Sequence, residues 1–328
     1  MYSLLNGKSL PWGCGQRLSK APGKTASIVG LRKTTGRRRI IVKRQTVMKK
    51  LLSVGIASMA ALALSGRTQA QNLFVTAFSD GSIYKFTPTG AQSTFASGLN
   101  EPIGLAFNSA GDLFEADYLS GNIYKFMPSG ARTTFASVGL PVDLAFDVTG
   151  NLFVTAQGNG TVAKITPSGA QSPFASGLSA PIGLAFNSAG VLFVAEDGIG
   201  IITKITPGGA KSTFATGLDP VGLAFDSTGN LFEADFGTGN IYEFTPSGVR
   251  STFASGVYDA YNLAFDSAGN LFVAAGAAVI EITPGGVQST FASGFQTYGL
   301  AFQVVPEPSA WAMLALGGFV LFGSRCKP

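Results

Sequence analysis

The chain has 328 residues, a formal charge of +5, no histidine and two cysteines. The missing imidazole excludes a Ser-His-Asp triad, a Cys-His pair and any His-ligated zinc or iron site. What remains is carboxylate chemistry, an oxygen-ligated Ca²⁺ or Mg²⁺ site, or no catalysis at all.

The positive charge is local. Residues 1–50 hold 13 of the 23 Lys and Arg and no acid, whereas residues 71–305 hold 17 acids and 7 bases, a net charge near −10. Met48-Lys49-Lys50 reads as a short basic n-region, and Leu51–Leu64 as an apolar h-region of 14 residues. Thr68-Gln69-Ala70 ends in the small residue that signal peptidase needs, so cleavage is expected between Ala70 and Gln71. Residues 48–70 are therefore expected to be a signal peptide. Such segments begin at a chain start, which makes Met48 the expected initiator and residues 1–47 a mis-assigned, basic, disordered extension. The rival reading takes Arg37-Arg38-Arg39 and Lys43-Arg44 as a nucleic-acid arm. Fused to a secretion signal it makes little physical sense, and an acidic domain is a poor partner for nucleic acid.

From Asn72 to Phe302 a unit of about forty residues recurs six times. The Phe of its Leu-Phe pair falls at 74, 114, 153, 193, 232 and 272, so the spacing alternates between 40 and 39. In the clearest copy, short runs at Leu223–Phe225, Leu231–Ala234, Ile241–Phe244 and Ser251–Ala254 read as four strands. Asp226-Ser-Thr-Gly-Asn230 and Thr245-Pro-Ser-Gly248 separate them as turns. Asp bonds backbone amides two residues on, Pro presets φ, and Gly takes the corner that needs φ > 0. Gly158-Asn-Gly160 and Asp197-Gly-Ile-Gly200 lack the helix and lysine of a phosphate loop and read as hairpin turns.

Four antiparallel strands per unit is the make-up of a propeller blade. The first unit begins at Asn72-Leu-Phe and lacks its leading strand, while a surplus copy, Gly299-Leu-Ala-Phe302, follows the sixth. Residues 71–303 are thus expected to form an all-β, six-bladed β-propeller with four-stranded blades. The C-terminal strand would close the ring and remove two free edges. Cys14 and Cys326 both lie outside this domain, so it needs no disulfide.

Gly-Leu-Ala-Phe-Asp, Gly-Asn-Leu-Phe-Val-Ala-Asp and Ile-Tyr-Lys-Phe-Thr-Pro-x-Gly resemble the NHL-type repeat and the six-bladed SMP-30/gluconolactonase-like proteins. The resemblance implies that the Gly-Leu-Ala-Phe strand is innermost and lines a central channel. It also implies a divalent metal held by Asn or Asp just before that strand's Gly, with a Glu from another blade. Here the position is Ile103, Val142, Ile182, Val221, Tyr261 and Tyr298, with no carboxylate or amide in any copy. Glu101, Asp143, Asp219 and Asn262 sit close by and are the metal-ligand candidates; the alternative is that they are solvated loop residues. Glu115 with Asp117, and Glu233 with Asp235, recur symmetrically and read as repeat structure, with the Asp capping the next turn. Tyr118, Tyr258, Tyr261 and Tyr298, with Phe236 and Phe295, fall near loops of one face and are candidates for binding carbohydrate, peptide or a matrix ligand.

Residues 304–328 carry Pro306-Glu307-Pro308, an uncharged run of 16 residues at 309–324, and a basic end with Arg325. This resembles the bacterial PEP-CTERM sorting signal. The resemblance implies recognition by an exosortase, transient anchoring in the cytoplasmic membrane by one short apolar helix, and delivery to the cell surface or extracellular matrix. With Arg325 and Lys327 inside, the propeller would lie outside the membrane. The sequence therefore predicts an exported binding or scaffold module without a resident cofactor. A divalent-metal-dependent, lactonase-like hydrolase is the alternative.

Overall fold

The computed structural model describes residues 71–303. The leader, the expected signal peptide with Ala70, and the sorting segment with Pro306, Glu307, Pro308 and Arg325 lie outside them. Among the described residues no helix is long and apolar enough to cross a membrane.

The described chain forms 24 strands in six antiparallel four-stranded sheets. In blade five they are Pro220–Phe225, Leu231–Asp235, Asn240–Phe244 and Arg250–Ala254, in order from the axis outward. The expected runs thus form, each extended by a residue or more at its start or end. Blade one takes its inner strand from the far end of the domain. Thr297–Phe302 pairs with Leu73–Ala77, setting Leu73 opposite Phe302 and Val75 opposite Leu300. The seam is fastened further where the Gln303 amide donates to the Asn72 carbonyl and the Asn72 side chain donates to Gln303 Oε1 at 3.0 Å.

The regular period has a packing cause. In every unit the Phe of the Leu-Phe pair meets two other phenylalanines edge-on. Phe74 meets Phe95 of its own outer strand and Phe107 of the next blade's inner strand, both at 5.0 Å between centroids. Phe272 repeats this with Phe291 and, across the closure, Phe302. Such pairs contribute roughly 0.5–1.5 kcal/mol beyond the area they bury. Six triplets therefore join each blade to its neighbour.

The turns behave as their residues require. Asp226 Oδ1 accepts the amides of Thr228 and Asn230 at 2.9 and 2.8 Å. Thr245 Oγ1 accepts the Val249 amide, and Gly248 takes φ +88°. Gln157–Asn159 and Asp197–Ile199 are single 3₁₀ turns, each ended by a left-handed glycine, Gly160 or Gly200. The acids at second-strand ends have two duties. Asp117 accepts amides from Ser120 in the next turn and from Asn100 in the lead-in to the inner strand. Asp235 does the same for Thr238 and Asp219.

The inner strands pack closely around the axis. A Cβ at Gly104, Gly183 or Gly299 would run into the next blade's Val142, Val221 or Ile103 carbonyl. Glycine is needed there because backbones approach, not because of φ.

Candidate functional site

One mouth of the channel opens as a cup of about 340 Å³. Three repeat positions build it. The wall comes from the residue before the inner-strand glycine: Ile103, Val142, Ile182, Val221, Tyr261 and Tyr298 all line the cup. The rim comes from the residue that follows each second strand: Phe78, Tyr118, Gln157, Asp197 and Phe236. Blade six has Gly276 at this position, so its rim carries no side chain. The floor comes from the glycine position itself, where blades three and six substitute Asp143 and Asn262.

Asp143 and Asn262 belong to opposite blades and meet over the axis. Asn262 Nδ2 lies 3.5 Å from Asp143 Oδ1, and Asp143 Oδ2 accepts the Leu184 amide at 3.0 Å. The Asp143 amide donates to Thr155 Oγ1, whose hydroxyl donates to the Ile182 carbonyl. Burial pushes the Asp143 carboxyl up to about 6, against the lowering effect of the Leu184, Leu144 and Asn262 hydrogen bonds.

The side of the cup built by blades five, six and one is aromatic. Phe78 and Tyr298 lie 4.5 Å apart, Tyr298 and Tyr261 stack at 4.1 Å, and Tyr261 tilts against Phe236 at 5.6 Å. Burial and then the Tyr298 hydroxyl push Tyr261 up to about 12, so it stays a neutral phenol. On the rim, the Tyr118 hydroxyl donates to Gln157 Oε1 at 3.3 Å. Burial first, and then the neighbouring Asp219 carboxyl, push the Asp197 carboxyl up.

The four metal-ligand candidates do not gather in one place. Asp143 and Asn262 form the floor, whereas Glu101 and Asp219 lie outside the cup lining. Glu101 adopts φ 58°, and its carbonyl receives the Tyr118 amide. The Asp219 carbonyl receives the Phe236 amide. Both residues thus use their backbones to hold the rim. Among the described residues there is no group of three or more His, Cys, Asp or Glu that could hold a metal ion. The floor offers two side-chain donors, while Ca²⁺ takes 6–8 oxygens. The residues present therefore do not fit the metal that the resemblance implies.

Of the four tyrosines, Tyr118, Tyr261 and Tyr298 line the cup, and Tyr258 stands outside it at 69% exposure. Phe295 is buried against Tyr84 and Phe86. Phe78, Gln157 and Asp197 join the site without having been singled out for it. Their signal was positional, because each follows a second strand as Tyr118 and Phe236 do.

No family model matches the chain, and no curated protein matches its sequence. Solved structures do match its shape. A chain of the nidogen–laminin complex aligns with a TM-score of 0.66 and 20% identity, covering 72% of this chain and 98% of that one. A gluconolactonase from Xanthomonas campestris aligns at 0.57 and 17%, covering 70% and 87%. Virginiamycin B lyase from Staphylococcus aureus aligns at 0.56 and 14%, covering 74% and 94%; a histidine-to-alanine variant of that lyase is catalytically inactive. Such distant likenesses establish a shared six-bladed architecture, on which binding modules and enzymes both occur.

Proposed function

We propose that this protein is an exported binding module whose channel mouth holds a small ligand with an apolar ring face. The single observation that carries this reading is the wall: all six blades present Ile, Val or Tyr around one buried carboxyl. Concave, mostly apolar sites with a few converging polar groups are built to orient a ligand. Asp143, Asn262 and Gln157 would supply orientation, and the stacked Tyr261 and Tyr298 a flat contact. The propeller's likeness to a chain of the nidogen–laminin complex suits a module that binds. The lyase neighbour depends on a histidine, and this chain has none.

The export half of the proposal rests on the sequence. A secretion signal at residues 48–70 and a PEP-CTERM-like segment at 304–328 would bring signal peptidase and an exosortase to the chain and place the propeller at the bacterial surface or in its matrix. The ligand would then be a carbohydrate, peptide or other matrix component.

A second reading, a lactonase-like hydrolase, is favoured by the Asp143–Asn262 contact on the axis and by the gluconolactonase neighbour. Ligand-observed NMR separates the two. Purified protein is screened against small sugars and ring-bearing metabolites, and each hit is repeated with Tyr298→Ala. The binding reading expects hits that Tyr298→Ala abolishes. An absence of hits, together with lactone turnover on adding Ca²⁺ or Mn²⁺, would overturn it.

A further inference from the structure

The charges around the cup are one-sided. All seven bases of residues 71–303 sit on the third and outer strands of their blades: Lys85, Lys125, Lys164 and Lys204 on third strands, Arg132, Lys211 and Arg250 on outer ones. Several are already engaged there. Lys125 pairs with Asp112 at 2.8 Å, and Arg132 and Arg250 lie 4.9 Å over Tyr124 and Tyr242. No lysine or arginine is among the described residues that line the cup.

Acids do reach the cup. Asp143 forms the floor and Asp197 the rim, and Asp219 is near enough to Asp197 to push its carboxyl up. Asp197 and Asp219 are neighbouring carboxyls, each of which disfavours the other's charge, and a cation between or beside them relieves this. Facing them is the run Phe78–Tyr298–Tyr261–Phe236, whose ring faces carry negative quadrupole density. Aromatic faces with a carboxylate and no competing base attract organic cations. An inorganic cation is served poorly by the same cup, because its wall is aliphatic and aromatic and offers few oxygens. An organic anion would meet two acids and no base.

We propose that the ligand of this cup is a small organic ammonium ion: its apolar body lies on the Tyr261–Tyr298 stack, and its charged head points to Asp143 and the Asp197–Asp219 pair. This assignment rests on the reading of the cup as a binding site and adds the chemical class. The cup volume of about 340 Å³ fits a molecule of one ring and a short chain better than a polymer.

Calorimetry with three probes of nearly one shape tests the class: 2-phenylethylammonium, 2-phenylethanol and phenylacetate. The ammonium is expected to bind at least about tenfold tighter than the alcohol, a difference of ~1.4 kcal/mol, and phenylacetate to show no binding. Asp197→Asn is expected to weaken the ammonium far more than the alcohol and so to remove most of that preference. Asp143→Asn is expected to act likewise; Asp197 at the rim keeps the test valid if the buried change disturbs folding. Equal binding of ammonium and alcohol, tighter binding of phenylacetate, or a preference untouched by Asp197→Asn overturns the ammonium assignment and leaves the binding site standing. If none of the three probes binds, the binding-site reading fails along with it.

Discussion

Glu115 and Glu233 invite the most demanding test of the physical account. They take the third place of the second strand in blades two and five, where the other four blades carry Val75, Val154, Val194 and Val273. Both are fully buried, and none of their carboxyl oxygens has a hydrogen-bond partner. Burial, then the charge of Asp235, push Glu233 from 4.5 up to about 9; Glu115 is driven well up by burial and Asp117. The folded protein thus keeps a proton on Glu233 that the unfolded chain releases near pH 4.5. Stability is full below that pH, falls as pH rises from about 4.5 to about 9, and levels off above. At ~1.4 kcal/mol per pH unit, the loss by pH 8 has an upper figure of roughly 4–5 kcal/mol. The unsatisfied neutral acid costs about 1–3 kcal/mol more at any pH. Glu233→Val restores the residue used by the other blades. It is expected to raise Tm at pH 8 by up to about 10–30 °C, taking ~2–4 °C per kcal/mol for a domain of this size, and by less than half of that at pH 4.5. Thermal unfolding followed by circular dichroism at the two pH values measures both gains. If Glu233→Val lowers Tm at pH 8, or shifts it equally at both pH values, the carboxyl has a partner in solution and the reasoning is refuted.

Other expectations follow from the same contacts. Asp143→Asn keeps an acceptor for the Leu184 amide and is expected to abolish a loss of stability between about pH 4 and 6, on the order of 3 kcal/mol, in a urea series; an unchanged pH profile would count against a buried Asp143 whose carboxyl is held up to about 6. Gly183→Ala and Gly299→Ala push a Cβ against the next blade's carbonyl and are each expected to cost about 1–3 kcal/mol, whereas Gly130→Ala, with open space around its Cβ, should cost only backbone strain. A chain ended after Gln296 lacks the inner strand of blade one, leaves the inner edge of Leu73–Ala77 unpaired and is expected to aggregate or unfold broadly, while one ended after Gln303 unfolds in a single transition. Mass spectrometry of the exported protein is expected to find Gln71 at the N-terminus; peptides from residues 1–47 would refute that start.

The fold was legible because each blade solves the same packing problem with the same residues. Phe74 and its five equivalents need an outer-strand Phe and a next-blade Phe, so the period cannot drift. The missing first strand and the surplus last one could be counted directly. The site was legible only in part. Nearness in sequence points to Glu101 and Asp219, but both lie outside the cup lining and hold its rim through their backbone carbonyls. Phe78 and Gln157 are ordinary residues in isolation and become part of a site only when the six second strands are aligned by register. The meeting of Asp143 with Asn262 across 119 residues depends on ring closure, which brings opposite blades to one axis and leaves no local trace. Glu115 and Glu233 read in the sequence only as symmetric repeat structure, and their burial shows once the blades are closed.

The central claim is that the cup binds a ligand without a metal. A thermal-shift series of the purified protein across millimolar Ca²⁺ and Mn²⁺, run beside Asp143→Asn, tests it most directly. Two side-chain donors on an apolar wall predict no metal-dependent change in either protein. A rise of several degrees with Ca²⁺ or Mn²⁺ that disappears in Asp143→Asn would contradict the claim and return the site to metal-dependent hydrolysis.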